Sequence, residues 1–101
     1  MFIFFILSGS HVFAGGVEGF VASEEGPVEF ATVSIQDQNL GAVTDADGWF
    51  SINNLPQGNY TLVVNSLGFK NLQIEFELRE DELKNLGQIY ITKDILGLEE
   101  V

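Results

Sequence analysis

Apolar and polar residues alternate along most of the chain with the period of two that is typical of β-strands. The alternation is unbroken in residues 72–79, where Leu72, Ile74, Phe76 and Leu78 are separated by polar residues. No segment carries a long helical period. The pattern predicts seven strands, at residues 17–22, 31–36, 40–44, 49–53, 59–66, 72–79 and 88–92. Short strands at roughly ten-residue intervals, with turn residues between them, predict an all-β antiparallel sandwich or barrel.

A hairpin is predicted between the third and fourth strands. Asp45 and Asp47 precede Gly48 there. Aspartate side chains in turns bond the backbone two residues on, and glycine adopts positive φ without steric cost. After this turn the alternation places Phe50 inward and Trp49 outward.

A second turn is predicted at residues 55–58, where Pro56 fits the second position of a β-turn and Gly58 the fourth. Type I and type II geometry are both compatible with this arrangement. Tyr60 then lies at the start of the fifth strand. Residues 79–85 are predicted to be a charged connector, with room for one helical turn capped by Asp81.

Asp45, Asp47 and Gly48 also suggest a calcium loop, but their spacing is wrong for an EF-hand. Such a loop needs glycine at its sixth position and a bidentate glutamate at its twelfth. Counted from Asp45, Gly48 is fourth and Pro56 is twelfth. The favoured interpretation is an Asx-turn hairpin, and no metal or other cofactor is expected.

Trp49 has two interpretations. As an outward residue with a large rigid face, it is a candidate exposed contact for a sugar or a protein. Ordinary partial packing on the sheet surface is the plainer interpretation and is favoured.

Charge excludes several partners. The 101 residues are enough for one domain, and they carry a net charge of −11 with only four Lys and Arg residues. Phosphate binding needs clustered Lys and Arg, so nucleic acid is not an expected partner. An anionic membrane surface is disfavoured for the same reason. The chain has no cysteine, which excludes disulfides and thiolate chemistry.

The N-terminus resembles a secretory signal peptide. The apolar run of residues 1–7 is too short to span a membrane, and Val12 and Ala14 are small residues suited to cleavage before Gly15. No Lys or Arg precedes the apolar run, which is unusual for a signal peptide, and a buried first strand is the alternative. Export with removal of residues 1–14 is expected.

Removing residues 1–14 would also remove His11, the one histidine of the chain. The remaining domain would then lack both His and Cys. A Ser-His-Asp triad, a Cys-His pair and a His-based metal site are all excluded, because the residues they need would be missing. No pair of carboxylates is placed in a pocket by the pattern. The sequence predicts that the domain is not an enzyme.

Two motifs resemble those of the carboxypeptidase-regulatory-like domain family. Thr-Asp-x-Asp-Gly-x-Phe is formed by Thr44, Asp45, Asp47, Gly48 and Phe50, and Leu-Pro-x-Gly-x-Tyr by Leu55, Pro56, Gly58 and Tyr60. The resemblance covers residues 16–92 and includes Gly19 and residues 30–33. It implies a seven-stranded antiparallel β-sandwich, transthyretin-like or Ig-like, over residues 15–93. The chain departs from the family at Trp49, usually a small or polar residue, and at Phe69, commonly tyrosine.

Residues 93–101 resemble the segment that joins this domain to the plug in TonB-dependent outer-membrane receptors. In those receptors a Leu-Asp/Glu-Glu-Val-Val-Val-Thr run leads into the plug and then the barrel, and Val101 matches the first of these valines. The resemblance implies that residues 94–101 are a linker toward a plug domain. The chain is then expected to be the N-terminal piece of a larger receptor, or a truncated gene, and transport is not expected of these residues.

The resemblance implies a non-catalytic accessory domain on the periplasmic side of the outer membrane, which mediates interaction or signalling. Its expected partners are the plug and barrel of the same receptor and periplasmic energy-coupling or other partner proteins, without membrane insertion of the domain itself. The alternative is a freestanding secreted binding module, directed to carbohydrate through Trp49. An accessory domain of a zinc carboxypeptidase is disfavoured, because that family places the catalytic domain before this one.

Overall fold

The structure is a computed structural model that describes residues 15–94. The predicted signal peptide, residues 1–14, lies outside the described residues, as do residues 95–101 of the predicted linker. Residues 15–94 include no helix with the length and apolar content needed to cross a membrane.

The described chain consists of strands joined by short turns. The strands are β1 (Gly16–Ser23), β2 (Gly26–Pro27), β3 (Thr32–Ile35), β4 (Gly41–Val43), β5 (Trp49–Asn53), β6 (Gly58–Asn65), β7 (Leu72–Leu78) and β8 (Leu83–Tyr90).

These strands form two four-stranded sheets. In the first sheet, β1 pairs with β8 on one side and with β5 and the short β2 on the other. The second sheet has the order β4-β3-β6-β7, and all its pairs are antiparallel. The chain passes from the second sheet to the first between β4 and β5, which lie in contact.

The core lies between the two sheets and is formed by the inward positions of the alternation. Val17 and Val21 contribute from β1, and Val33 and Leu62 from the facing sheet, all with no exposed surface. The buried apolar residues form one cluster. Its members are Val17, Val21, Val28, Ala31, Val33, Ile35, Phe50, Ile52, Leu55, Leu62, Val64, Phe76, Leu78, Ile89 and Ile91.

The all-β sandwich predicted from the sequence is confirmed, with two differences in detail. The structure has eight strands instead of seven, because Gly26 and Pro27, which lie outside the seven predicted strands, pair with the end of β1. The pair of β1 and β8 is parallel, whereas every other pair is antiparallel. Parallel neighbours require a long connection, and here the rest of the domain supplies it.

The prediction of a connector with one helical turn at residues 79–85 was wrong. The chain makes a tight turn in which the Glu82 N–H donates to the Arg79 carbonyl, and β8 begins at Leu83. The Glu82 carboxylate also accepts a hydrogen bond from the Arg79 N–H at 2.8 Å, which lowers the pKa of Glu82. This part of β8 was not predicted because it contains polar residues such as Lys84 and Asn85. Its extended form is set by pairing with β1.

The alternation around Trp49 can be tested by truncation on the two faces of β5. Phe50 is 1% exposed, so Phe50→Ala is expected to lower the free energy of unfolding by about 3–5 kcal/mol. Trp49 lies on the outer face in contact with Phe20, and Trp49→Ala is expected to cost about 0.5–1.5 kcal/mol. Urea denaturation of both variants measures the difference. Equal costs for the two substitutions would contradict the assignment of faces.

Candidate functional site

Thr44 lies at the crossover between the sheets and is 2% exposed. Its hydroxyl accepts a hydrogen bond from the Ala31 N–H at 2.8 Å and donates one to the Val28 carbonyl at 2.7 Å. Its backbone adds bonds to Ala31 and Phe30. Thr44 therefore links the loop that precedes β3 to the segment that follows β4. It also gives hydrogen-bond partners to backbone groups that are buried away from water.

Asp45 organises the turn that follows. The prediction of a hairpin here was wrong, because β4 and β5 pair with different partners in different sheets. One of its carboxylate oxygens, Oδ1, accepts hydrogen bonds from the Asp47 N–H at 2.9 Å and the Trp49 N–H at 3.0 Å. The Asp45 carbonyl accepts from the Gly48 N–H at 2.8 Å. This is the geometry of an Asx turn, in which the side chain takes the place of a backbone acceptor.

Gly48 allows this turn to approach β1 closely. Its φ is +81°, in the left-handed region, and its carbonyl accepts a hydrogen bond from the Val21 N–H at 2.7 Å. A Cβ atom at this position would collide with the Val21 carbonyl oxygen. Glycine is therefore required both by the backbone conformation and by the close contact.

Phe50 packs over Gly19, its partner in the β1–β5 register. A Cβ atom at Gly19 would lie 3.0 Å from Cε1 of the Phe50 ring, and 3.0 Å from the Gly87 carbonyl oxygen. The absence of a side chain at Gly19 makes the space that the phenylalanine occupies. Gly19 and Phe50, which both belong to the sequence resemblance, are thus the two sides of one packing contact.

The second motif bends the chain into β6 without a hydrogen-bonded turn. The Tyr60 hydroxyl donates to the Pro56 carbonyl at 2.6 Å, and the Tyr60 ring stacks on Phe76 with centroids 5.6 Å apart. Leu55 is fully buried, and its N–H donates to the Gly15 carbonyl. The chain bends at Gln57, within the predicted turn of residues 55–58, and the tyrosine hydroxyl holds this bend in the manner of a tyrosine corner.

Trp49 belongs to a group of aromatic residues on the outer face of the first sheet. Its ring lies 5.0 Å from that of Phe20, tilted by 59°. Phe20 is 41% exposed and Tyr90 53% exposed. Gln88 pairs with Phe20, and Tyr90 lies two positions along β8. Phe20, Trp49 and Tyr90 are called the aromatic face below.

Polar side chains border the aromatic face. One row farther along the sheet, the register places Ser51, Glu18 and Asn85 side by side. The Asn85 amide donates to the Glu18 carboxylate at 3.3 Å. This surface can offer hydroxyl, amide and carboxylate groups next to exposed rings.

Trp49 was the one member of the aromatic face that sequence reasoning named as a contact. Phe20 and Tyr90 also occupy outward positions in the alternation, so a signal for them existed. Their placement on the same sheet face as Trp49 depends on the pairing of β1 with β5 and β8, which local patterning does not reveal.

Reactive groups are not gathered anywhere in residues 15–94. Within that region no three His, Cys, Asp or Glu side chains are close enough to hold a metal ion. Besides Glu82, the side chain with a shifted pKa is Lys93, whose pKa is raised by its hydrogen bond to Glu25. Both Glu82 and Lys93 are surface residues, and their shifts follow from local contacts.

The model of the CarboxypepD_reg-like domain family matches residues 17–101. Among curated proteins, none matches this sequence. The family match spans both motifs described above and the aromatic face.

Solved structures with the same fold come from proteins of several kinds. A chain of a type II cohesin-X-dockerin complex from Acetivibrio cellulolyticus superimposes with a TM-score of 0.68 at 21% identity, covering 78% of this chain and 58% of that one. The Bacillus anthracis TIE protein gives a TM-score of 0.64 at 17% identity, covering 80% of this chain and 17% of that one. The 5-hydroxyisourate hydrolase of Klebsiella pneumoniae gives 0.56 at 21% identity, covering 77% and 86%.

These similarities show the fold alone, and the hydrolase match confirms its transthyretin-like character. The chain spans little more than half of the Acetivibrio chain and about a sixth of the Bacillus protein.

The role of Thr44 can be tested with Thr44→Val, which keeps the shape and removes the hydroxyl. The Ala31 N–H and the Val28 carbonyl would then lose a buried partner, and we expect a loss of about 2–4 kcal/mol in the free energy of unfolding. Thr32→Val, at an exposed position of β3, is the matched control and should change it by less than about 0.5 kcal/mol. Equal effects in chemical denaturation would show that the Thr44 hydroxyl does not stabilise the crossover.

Proposed function

The chain belongs to the CarboxypepD_reg-like domain family, and from this we propose that it is a non-catalytic interaction domain of a TonB-dependent outer-membrane receptor. In this proposal the domain lies on the periplasmic side of the outer membrane. It contacts the plug of the same receptor or a periplasmic partner protein, and it does not itself transport the substrate.

The aromatic face is the main structural support for a role in interaction. Trp49 and Phe20 lie side by side on the outer surface of the first sheet, and Phe20 and Tyr90 are each exposed by 40% or more. Aromatic residues are enriched at binding hot spots because they bury much area with little loss of side-chain entropy. A group of them on a surface supports a contact site.

The first and last described residues of the domain lie at opposite ends of the sandwich, as expected for a domain that is followed end to end by another. Gly15 and Gly16 bond to Leu55 and Glu82 at one end of β1. At the other end of β1, Ile91 bonds to Ala22, and Asp94 bonds to Gly68 soon after. The chain therefore enters and leaves at opposite ends of the sandwich. Together with the receptor-like sequence of residues 93–101, this supports the receptor context.

A freestanding secreted module that binds carbohydrate is the second candidate. The observation in its favour is the border of polar groups beside the aromatic face, including Ser51, Asn85 and Gln88. Rings that stack on a sugar and amides that bond its hydroxyls are the groups such a ligand needs.

The receptor proposal predicts the sequence of the gene beyond the Val101 codon. We expect a Val/Thr-rich segment, a plug domain, and many alternating strands of roughly ten residues that form an outer-membrane barrel. Reading the native gene past this codon tests the expectation. A native stop codon there, in an intact gene, would contradict the receptor proposal.

Tryptophan fluorescence separates the two candidates at the protein level. Trp49 is the one tryptophan of the chain and belongs to the aromatic face. Titration with neutral polysaccharides should leave its emission unchanged if the domain serves a receptor. A saturable shift that is lost in Phe20→Ala would favour the carbohydrate-binding module instead.

A further inference from the structure

β7 presents the longest regular open edge of the sandwich. It pairs with β6 over seven residues without a register shift, from Leu72 opposite Val64 to Leu78 opposite Gly58. Within residues 15–94 no strand lies on its other side. Backbone N–H and C=O groups of β7 therefore point away from the sheet, ready to pair with another strand. This side of Leu72–Leu78 is called the β7 edge.

The other outer strands are less suited to accept a strand. β2 has two residues and β4 has three. β5 lies against β4 of the facing sheet. β8 has a register shift opposite Glu18 and Phe20, close to Gly87, whose φ is +72°. Short strands and bulges protect edges from pairing, and β7 has neither protection.

The charge on β7 selects the kind of strand that could pair there. Glu75 and Glu77 are exposed on the outer face, opposite the neutral residues Thr61 and Asn59 of β6. Neither carboxylate has an ion pair or a side-chain hydrogen bond within residues 15–94. They lie about 7 Å apart along the strand. A second copy of β7 would be repelled, whereas a strand with Lys or Arg at alternate positions would be attracted.

The other side of β7 is apolar and incompletely covered. Leu72 and Ile74 turn toward the core but remain partly exposed, unlike Phe76 and Leu78 farther along the strand. An added strand would cover them with its own inward residues. An open depression lies over β6 and β7 and includes both carboxylate residues of the edge strand. It is lined by Asn59, Tyr60, Thr61, Glu75, Phe76 and Glu77.

We propose that the β7 edge binds an extended basic segment of a partner protein, which adds a fifth strand to the β4-β3-β6-β7 sheet. The segment alternates basic residues, which face Glu75 and Glu77, with apolar residues, which cover Leu72 and Ile74. Backbone hydrogen bonds supply affinity and the alternating side chains supply specificity. This surface belongs to the second sheet, and the proposal does not depend on the receptor context or on the aromatic face.

A synthetic peptide of about ten residues that alternates lysine and valine is the probe. We expect saturable binding by fluorescence anisotropy, weaker at high salt, with slowed hydrogen exchange at β7 amides. A peptide of equal charge, in which two valines are replaced by proline, cannot complete the ladder and should not bind. Equal binding of the proline peptide, or no binding of the first, would overturn the proposal.

Matched variants test the carboxylates. Glu75→Gln with Glu77→Gln is expected to weaken binding of the lysine–valine peptide roughly tenfold. Glu24→Gln with Glu29→Gln removes the same charge at exposed positions away from β7 and should leave the affinity unchanged. Circular dichroism checks that both proteins are folded. Equal weakening in the two variants would show non-specific attraction to the acidic protein and would contradict a site at β7.

Discussion

The sandwich depends on how the chain satisfies its backbone groups where it crosses from one sheet to the other. Thr44 and Asp45 do this with their own side chains. The threonine hydroxyl bridges two buried backbone groups, which would be costly to leave without partners. The aspartate carboxylate shapes the turn between β4 and β5, after which Phe50 packs over Gly19. In residues 15–94 no buried side-chain nitrogen or oxygen is left without a hydrogen bond.

The residues of the family motifs stabilise the fold, and they differ from the residues proposed to bind partners. Thr44, Asp45, Gly48, Phe50 and Tyr60 form hydrogen bonds and core contacts within the domain. The surfaces proposed for recognition lie elsewhere, on the outer face of the first sheet and on the edge of the second. Members of one fold can therefore keep the same motifs while their outer surfaces carry different functions.

Most of the fold could be predicted from the sequence because the alternation of apolar and polar residues is strong. The inward residues of β1, β3, β5, β6 and β7 form the core as the alternation predicts. The start of β8 was missed, because Lys84 and Asn85 are extended only through pairing with β1. The contact of Phe20 with Trp49 could not be predicted either, since it requires the register between strands that are distant in the chain.

The Asp45–Gly48 turn is held by its own hydrogen bonds, and we predict that it does not need a metal ion. Thermal unfolding of the purified protein in excess calcium and in EDTA tests this most directly. We predict the same Tm in both conditions. A calcium site filled at a hundred times its Kd would stabilise the domain by about 2.7 kcal/mol and raise the Tm by roughly 10–20 °C. Such a calcium-dependent rise would contradict a purely structural role for the turn.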